Sequence, residues 1–158
     1  MADKPALLIV DDENSILSSL KRLFIDEDFI IITANSGEEG LQKIEEHEID
    51  LVLSDQKMPE MSGIEFLKKV RINHPHVLTI LMTAQADIDN AVKAINDAGV
   101  YKFILKPWDK EDLIITIKRA FELMKMTPER DALVNKMKTQ DILLENLEKQ
   151  YPGITKYD

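Results

Sequence analysis

The feature that most constrains this chain is a set of short apolar runs: Ala6 to Val10, Phe29 to Ile32, Leu51 to Leu53, Val77 to Met82 and Tyr101 to Leu105. They are rich in Ile, Val and Leu and scarcely alternate with polar residues. A strand with one face in water alternates, whereas a strand buried on both faces does not. The runs therefore read as interior strands of a sheet covered on both sides. Between them apolar residues recur at helix spacing, as in Ile16, Leu17, Leu20, Leu23 and Phe24, in Leu41 and Ile44, and in Ile64, Phe66, Leu67 and Val70. Ser36 with Glu39 and Ser62 with Glu65 read as capping boxes, and Asn14, Asp87 and Asp109 as single N-caps.

Alternation of strands and helices implies right-handed parallel crossovers. The fold class this predicts is α/β, a flavodoxin-like doubly wound five-stranded parallel sheet of order 2-1-3-4-5 with five helices. Such sheets bind ligands at the carboxyl ends of their strands, near the point where the strand order reverses.

Residues 1–126 account for this domain, and residues 127–151 read differently. Thr127 and Pro128 suit a helix start, and Leu133, Met137, Gln140, Leu144, Leu147 and Tyr151 follow a short heptad rhythm. This extension is expected to be a C-terminal helix, either paired with a second copy as a homodimer or folded back on its own domain. Tyr151-Pro152-Gly153 breaks it, so residues 152–158 form a tail of the kind that leads into an output domain.

The net charge of −9 argues against direct nucleic-acid binding, which draws on clustered Lys and Arg. No apolar run approaches the roughly 18 to 20 residues needed to span a bilayer, and the start does not resemble a secretory signal. The absence of cysteine removes thiolate metal sites and cysteine nucleophiles, and a cytoplasmic location is expected.

The remaining polar signals fall on one rim. Asp11 and Asp12 follow the first predicted strand, Asp55 the third, Thr83 the fourth and Lys106 the fifth. Carboxylates that converge repel unless a cation sits between them, and a cluster of oxygen ligands suits Mg2+. A carboxylate can also act as a nucleophile toward phosphorus, giving an aspartyl phosphate. Transfer of a phosphoryl group passes through a loose transition state, so catalysis is mainly positioning and charge neutralisation. A metal, the Lys106 ammonium and the Thr83 hydroxyl with nearby backbone amides would share that work.

The segments Ile9-Val10-Asp11-Asp12-Glu13, Ser54-Asp55-Gln56-Lys57-Met58-Pro59-Glu60-Met61-Ser62-Gly63, Met82-Thr83-Ala84 and Leu105-Lys106-Pro107 resemble the signature of two-component response-regulator receiver domains over about residues 5 to 125. The resemblance implies Asp55 as the phosphoacceptor, with Asp12, Asp55 and the Lys57 backbone carbonyl on Mg2+ and Asp11 assisting through water. It implies Thr83 and Lys106 on the phosphoryl oxygens, a cis bond before Pro107, and Thr83 with Phe103 as a switch pair. It implies a sensor histidine kinase or phosphotransfer protein as partner, and a signalling domain rather than an enzyme with a separate substrate. Lys106-Pro107-Trp108 is similar to a subgroup of receivers coupled to cyclic-di-nucleotide phosphodiesterase or transcriptional output domains. Gln56, Lys57 and Gln85 occupy positions where the family varies and phosphoryl lifetime is tuned.

Other readings fit less well. Dehalogenase-type phosphatases need a second aspartate two residues after the nucleophile, where this chain has Lys57. No Gly-rich nucleotide fingerprint follows the first strand. A degenerate receiver would not retain Asp55, Thr83 and Lys106 together. His47, His74 and His76 lack ligand spacing and read as surface residues.

Overall fold

The computed structural model describes residues 4–124. The expected helix at 127–151 and the tail at 152–158 lie outside the described residues. Five strands, β1 (Ala6–Val10), β2 (Ile30–Ala34), β3 (Leu51–Asp55), β4 (Leu78–Ala84) and β5 (Lys102–Lys106), form one parallel sheet of order β2-β1-β3-β4-β5. The helices are α1 (Asn14–Leu23), α2 (Gly37–Glu46), α3 (Gly63–Asn73), α4 (Ile88–Asp97) and α5 (Lys110–Met124), with a short 3-10 turn at Gln85–Asp87 before α4. The architecture is the flavodoxin-like one.

Burial explains why the strands carry no alternation. From β1, Ala6, Leu8 and Val10 enter one core with Val52, Leu81, Phe66, Leu67, Val70, Ala91 and Ala94. Leu7 and Ile9 enter the opposite core with Leu51, Leu53, Ile80, Met82, Leu17, Leu20, Phe24, Leu113, Ile117 and Phe121. Successive side chains point to opposite faces, and here both faces are apolar. The first core packs under α2, α3 and α4, and the second under α1 and α5. Strands β2 and β5 are the sheet edges and are only partly buried, with Ile30 at the open end of β2.

Local signals set the helix starts. Ser36 Oγ accepts from Glu39 N at 3.1 Å, and Ser62 Oγ from Glu65 N at 3.2 Å. Asp109 Oδ1 accepts from Asp112 N at 3.0 Å. Two expected caps differ. Asn14 is already the first helical residue of α1 and Glu13 stands at the cap, because Asp11 Oδ1 draws in the Glu13 amide at 2.9 Å and turns the chain one residue earlier. Asp87 stands at the N-cap of α4 but its side chain makes no cap bond.

The register carries function. Asp55 pairs with Met82, Thr83 with Leu105 and Ala84 with Lys106, so β4 and β5 end level with each other and reach two residues past Asp55, the last residue of β3. Val10 pairs with Ser54, which places Asp11 at the same end.

Candidate functional site

The site is built on the last residues of the strands and the loops that follow them. Asp11 is fully buried, Asp55 is 7% exposed and Asp12 is open to solvent. One ligand oxygen from each lies within 4.8 Å of the others, and among the described residues this is the group of acids or histidines placed to hold a metal ion. Lys106 reaches in from β5, with Nζ 2.6 Å from Asp55 Oδ1 and 3.9 Å from Asp11 Oδ2. The shorter contact is a charge-assisted hydrogen bond, and the longer exceeds hydrogen-bond reach.

That leaves Asp11 Oδ2 buried with no hydrogen-bond partner. Burial pushes the Asp11 carboxyl up from its ordinary 3.8 to about 6, and the charges of Asp55 and Asp12 add to the rise. The Glu13 amide and the Lys106 ammonium act against it without cancelling it. A buried carboxylate oxygen without a donor, beside two more carboxylates, has the chemistry of a hard-cation site. The residues present therefore fit Mg2+, and the acidic cluster is compatible with it.

The loop after β3 is shaped by close backbone contact. A Cβ on Gly63 would lie 2.1 Å from the Asp55 carbonyl oxygen and 2.9 Å from Gln56 Cα, so only glycine lets α3 begin so near the acid. Gln56 clamps that start: its carbonyl accepts from Gly63 N at 2.9 Å and its side-chain Oε1 from Ile64 N at 2.9 Å. Sequence reasoning did not single out this clamp. Its one signal was a glycine at the first position of α3, where helix propensity disfavours it. Further along, Glu60 has φ 68°, and Met61 N donates to Pro59 O at 2.7 Å across it, a γ-turn that only a held loop sustains. Lys57 turns outward and its Nζ lies 3.5 Å from Asp87 Oδ2.

Thr83 is buried at the end of β4, and its hydroxyl has only a 3.5 Å contact to the Ala84 carbonyl. It lies two residues after Leu81, which pairs with Phe103, so Thr83 and Phe103 belong to the same face of the sheet. Phe103 is half-buried against the core beneath α4. The Lys106–Pro107 peptide is cis. Trp108 packs half-buried against the core shared by α1 and α5. The histidines stand apart: His47, His74 and His76 line a cavity of about 520 Å³ at the opposite end of the sheet, where His74 Nε2 is 3.1 Å from Glu45 Oε1.

The acids, the lysine and the threonine converge at the carboxyl end of a 2-1-3-4-5 sheet, and comparison with known proteins agrees. The family model of the response regulator receiver domain matches residues 7–118. The chain is 37% identical over 123 residues to the hydrogenase transcriptional regulatory protein HoxA of Cupriavidus necator, covering 77% of this chain and 25% of that one. It is likewise 37% identical to the regulatory protein AtoC of Escherichia coli, over 78% of this chain and 26% of that one. It thus spans about a quarter of the length of these curated relatives. A response regulator receiver domain protein from Clostridium thermocellum superposes with a TM-score of 0.72 at 35% identity, over 77% of this chain and 97% of that one. The receiver domain of NtrX from Brucella abortus gives 0.69 at 30% identity, over 73% and 98%. No helix among the described residues is long and apolar enough to cross a membrane. By sequence and by fold, this chain belongs to the response regulator receiver family.

Proposed function

We propose that Asp55 accepts a phosphoryl group from a phosphohistidine on a sensor histidine kinase or phosphotransfer protein, in the cytoplasm, and that the domain passes the change to an output domain or partner. The observation that carries this reading is the buried pair of Asp11 and Asp55, one with an oxygen lacking any donor and the other held by Lys106 at 2.6 Å. In the transfer, an Asp55 oxygen forms the new O–P bond as the N–P bond of the phosphohistidine breaks, and the imidazole leaves with the electron pair. Asp12, Asp55 and the Lys57 carbonyl would hold Mg2+, with Asp11 through water. Bound there, the ion supplies positive charge to the phosphoryl oxygens.

The chain's own residues do the rest. Lys106 orients Asp55 before transfer and is placed to follow the charge onto the phosphoryl oxygens. Thr83, with its hydroxyl poorly satisfied, is free to turn toward the new group. That turn would vacate space on the face it shares with Phe103, and Phe103 would move inward, which is a population shift rather than a new fold. The domain catalyses only its own phosphorylation and hydrolysis.

The test is intact mass after incubation with Mg2+ and acetyl phosphate, beside an Asp55→Asn control. A labile phosphoryl adduct on the parent alone is expected. An adduct on both proteins, or on neither with Mg2+ bound, would overturn the assignment of Asp55.

A further inference from the structure

The two hydrogen bonds that α3 makes to Gln56 carry an inference that rests on the receiver reading and goes beyond it. We propose that Gln56 is a positioning residue: its side chain locks the start of α3 to the turn after Asp55 and so sets the Lys57 carbonyl for Mg2+. Gln56 is tied to two different elements. Its amide donates to the Met82 carbonyl of β4 at 3.0 Å, and its carbonyl accepts from Gly63 N at 2.9 Å. Its side-chain Oε1 accepts from Ile64 N at 2.9 Å, eight residues along the chain. A helix start leaves its first amides without an intrahelical acceptor, and the capping side chain ordinarily meets one of them. Ser62, the N-cap of α3, meets that of Glu65 at 3.2 Å. The amides of Gly63 and Ile64 are met by Gln56, a residue outside the helix and next to the phosphoacceptor.

Three features give this lock a consequence at the metal site. The bonds to Gln56 close the neck of the loop of residues 57–62, and the Lys57 carbonyl is the first beyond that neck. Within the loop Glu60 holds φ 68°, a conformation that persists only where its surroundings fix it. Second, α3 has no room to move closer, because even a Cβ on Gly63 would lie 2.1 Å from the Asp55 carbonyl oxygen. The helix start is thus limited by contact in one direction and by Gln56 in the other. Third, Mg2+ demands near-ideal octahedral geometry, so a loop carbonyl serves it well only when held in place beforehand. Residues that orient metal ligands contribute roughly 10- to 100-fold in affinity. Without the Gln56 acceptor the Ile64 amide is left unpaired and the neck loosens, which frees the Lys57 carbonyl to turn while every carboxylate of the site stays in place.

Titration of the full chain with Mg2+ alone, followed by amide NMR, tests this, together with hydrogen exchange at the Gly63 amide in metal-free protein. Gln56→Met keeps the length of the side chain and removes its strong acceptor. It should bind Mg2+ about tenfold more weakly. Its Gly63 amide should exchange about fivefold faster, the factor one typical hydrogen bond supplies. Gln56→Glu restores an acceptor for Ile64 N, so its Gly63 exchange should be parental and its Mg2+ affinity no weaker than the parent's. Ser62→Ala removes the other side-chain cap of the same helix and separates positioning from stability. It should lower the urea midpoint as Gln56→Met does and leave Mg2+ affinity unchanged. Parental Mg2+ affinity in Gln56→Met, or equal weakening in Ser62→Ala, would overturn the proposal. A parent that binds no Mg2+ would instead count against the metal site of the receiver reading. Gly63 exchange would still decide the lock, which a parental rate in Gln56→Met would overturn.

Discussion

Asp50 and Asp11 are the same residue at opposite ends of one sheet, and they are treated in opposite ways. At the amino end, Asp50 Oδ2 accepts from Ala6 N at 2.8 Å, its amide donates to Ala6 O at 3.0 Å and its carbonyl accepts from Leu78 N at 3.1 Å. Its backbone amide, its backbone carbonyl and one carboxylate oxygen each have a partner, and the residue ties β1, β3 and β4 together. At the carboxyl end, Asp11 is more deeply buried and one of its oxygens has no donor. The nearest ammonium is bonded to Asp55 instead. The difference teaches that the sheet's amino end is finished by its own backbone, whereas its carboxyl end is left with an unmet need for positive charge. An end of that second kind is where a ligand adds stability.

Substitutions can break this contrast. The largest expected effect is total: Asp55→Asn abolishes the phosphoryl adduct seen by mass spectrometry, whereas Asp50→Ala leaves it intact. Next comes Gly63→Ala, whose methyl group has no room beside the Asp55 carbonyl. It should cost at least about 3 kcal/mol in urea unfolding, at the upper end of overpacking effects.

The third effect concerns pH. In metal-free protein the Asp11 carboxyl has its pKa raised by burial to about 6, above its unfolded value. Its contribution to stability is therefore full below pH 3.8 and is lost as pH rises through about 6. The loss should reach up to about 3 kcal/mol, from roughly 1.4 kcal/mol per pKa unit. Urea unfolding in chelator at pH 4.5 and 7.5 should register about 2 kcal/mol of it, since pH 4.5 already lies above the unfolded pKa, with Asp11→Asn as the variant that should lose this dependence. Added Mg2+ should offset the loss at the higher pH by about 2.7 kcal/mol at a hundredfold excess over Kd. The smallest effect is at the finished end, where Asp50→Ala leaves the Ala6 amide unpaired. It should cost about 1 to 2 kcal/mol with no change in Mg2+ response.

The fold was legible because burial on both faces leaves continuous apolar runs, and those runs located every strand. Their ends were less legible. The apolar run of the second strand stops at Ile32 but β2 continues through Thr33 and Ala34, and that of the fourth stops at Met82 but β4 continues through Thr83 and Ala84. At β4 the hydropathy signal fades where the chemistry begins, because Thr83 belongs to the rim. The acids of that rim could be read from their common place after predicted strands. Contacts set by tertiary approach could not. Nothing local shows that Gly63 abuts Asp55, that Gln56 clamps α3, or that Asp87 faces Lys57 rather than its own helix. The histidines, read as surface residues because they lack ligand spacing, share a cavity for the same reason.

The two edges of the sheet differ in a way that bears on association between misfolded chains. An open strand edge offers unpaired amides and carbonyls to any passing strand, and lysine at such an edge discourages the pairing. Strand β5 begins with Lys102 and ends with Lys106, so the residue that holds Asp55 also guards its border. Strand β2, Ile30-Ile31-Ile32-Thr33-Ala34, carries no charge along its length and leaves Ile30 nearly half exposed. Intermolecular strand addition should therefore start at β2, and a single lysine in place of Ile30 is the change best placed to suppress it.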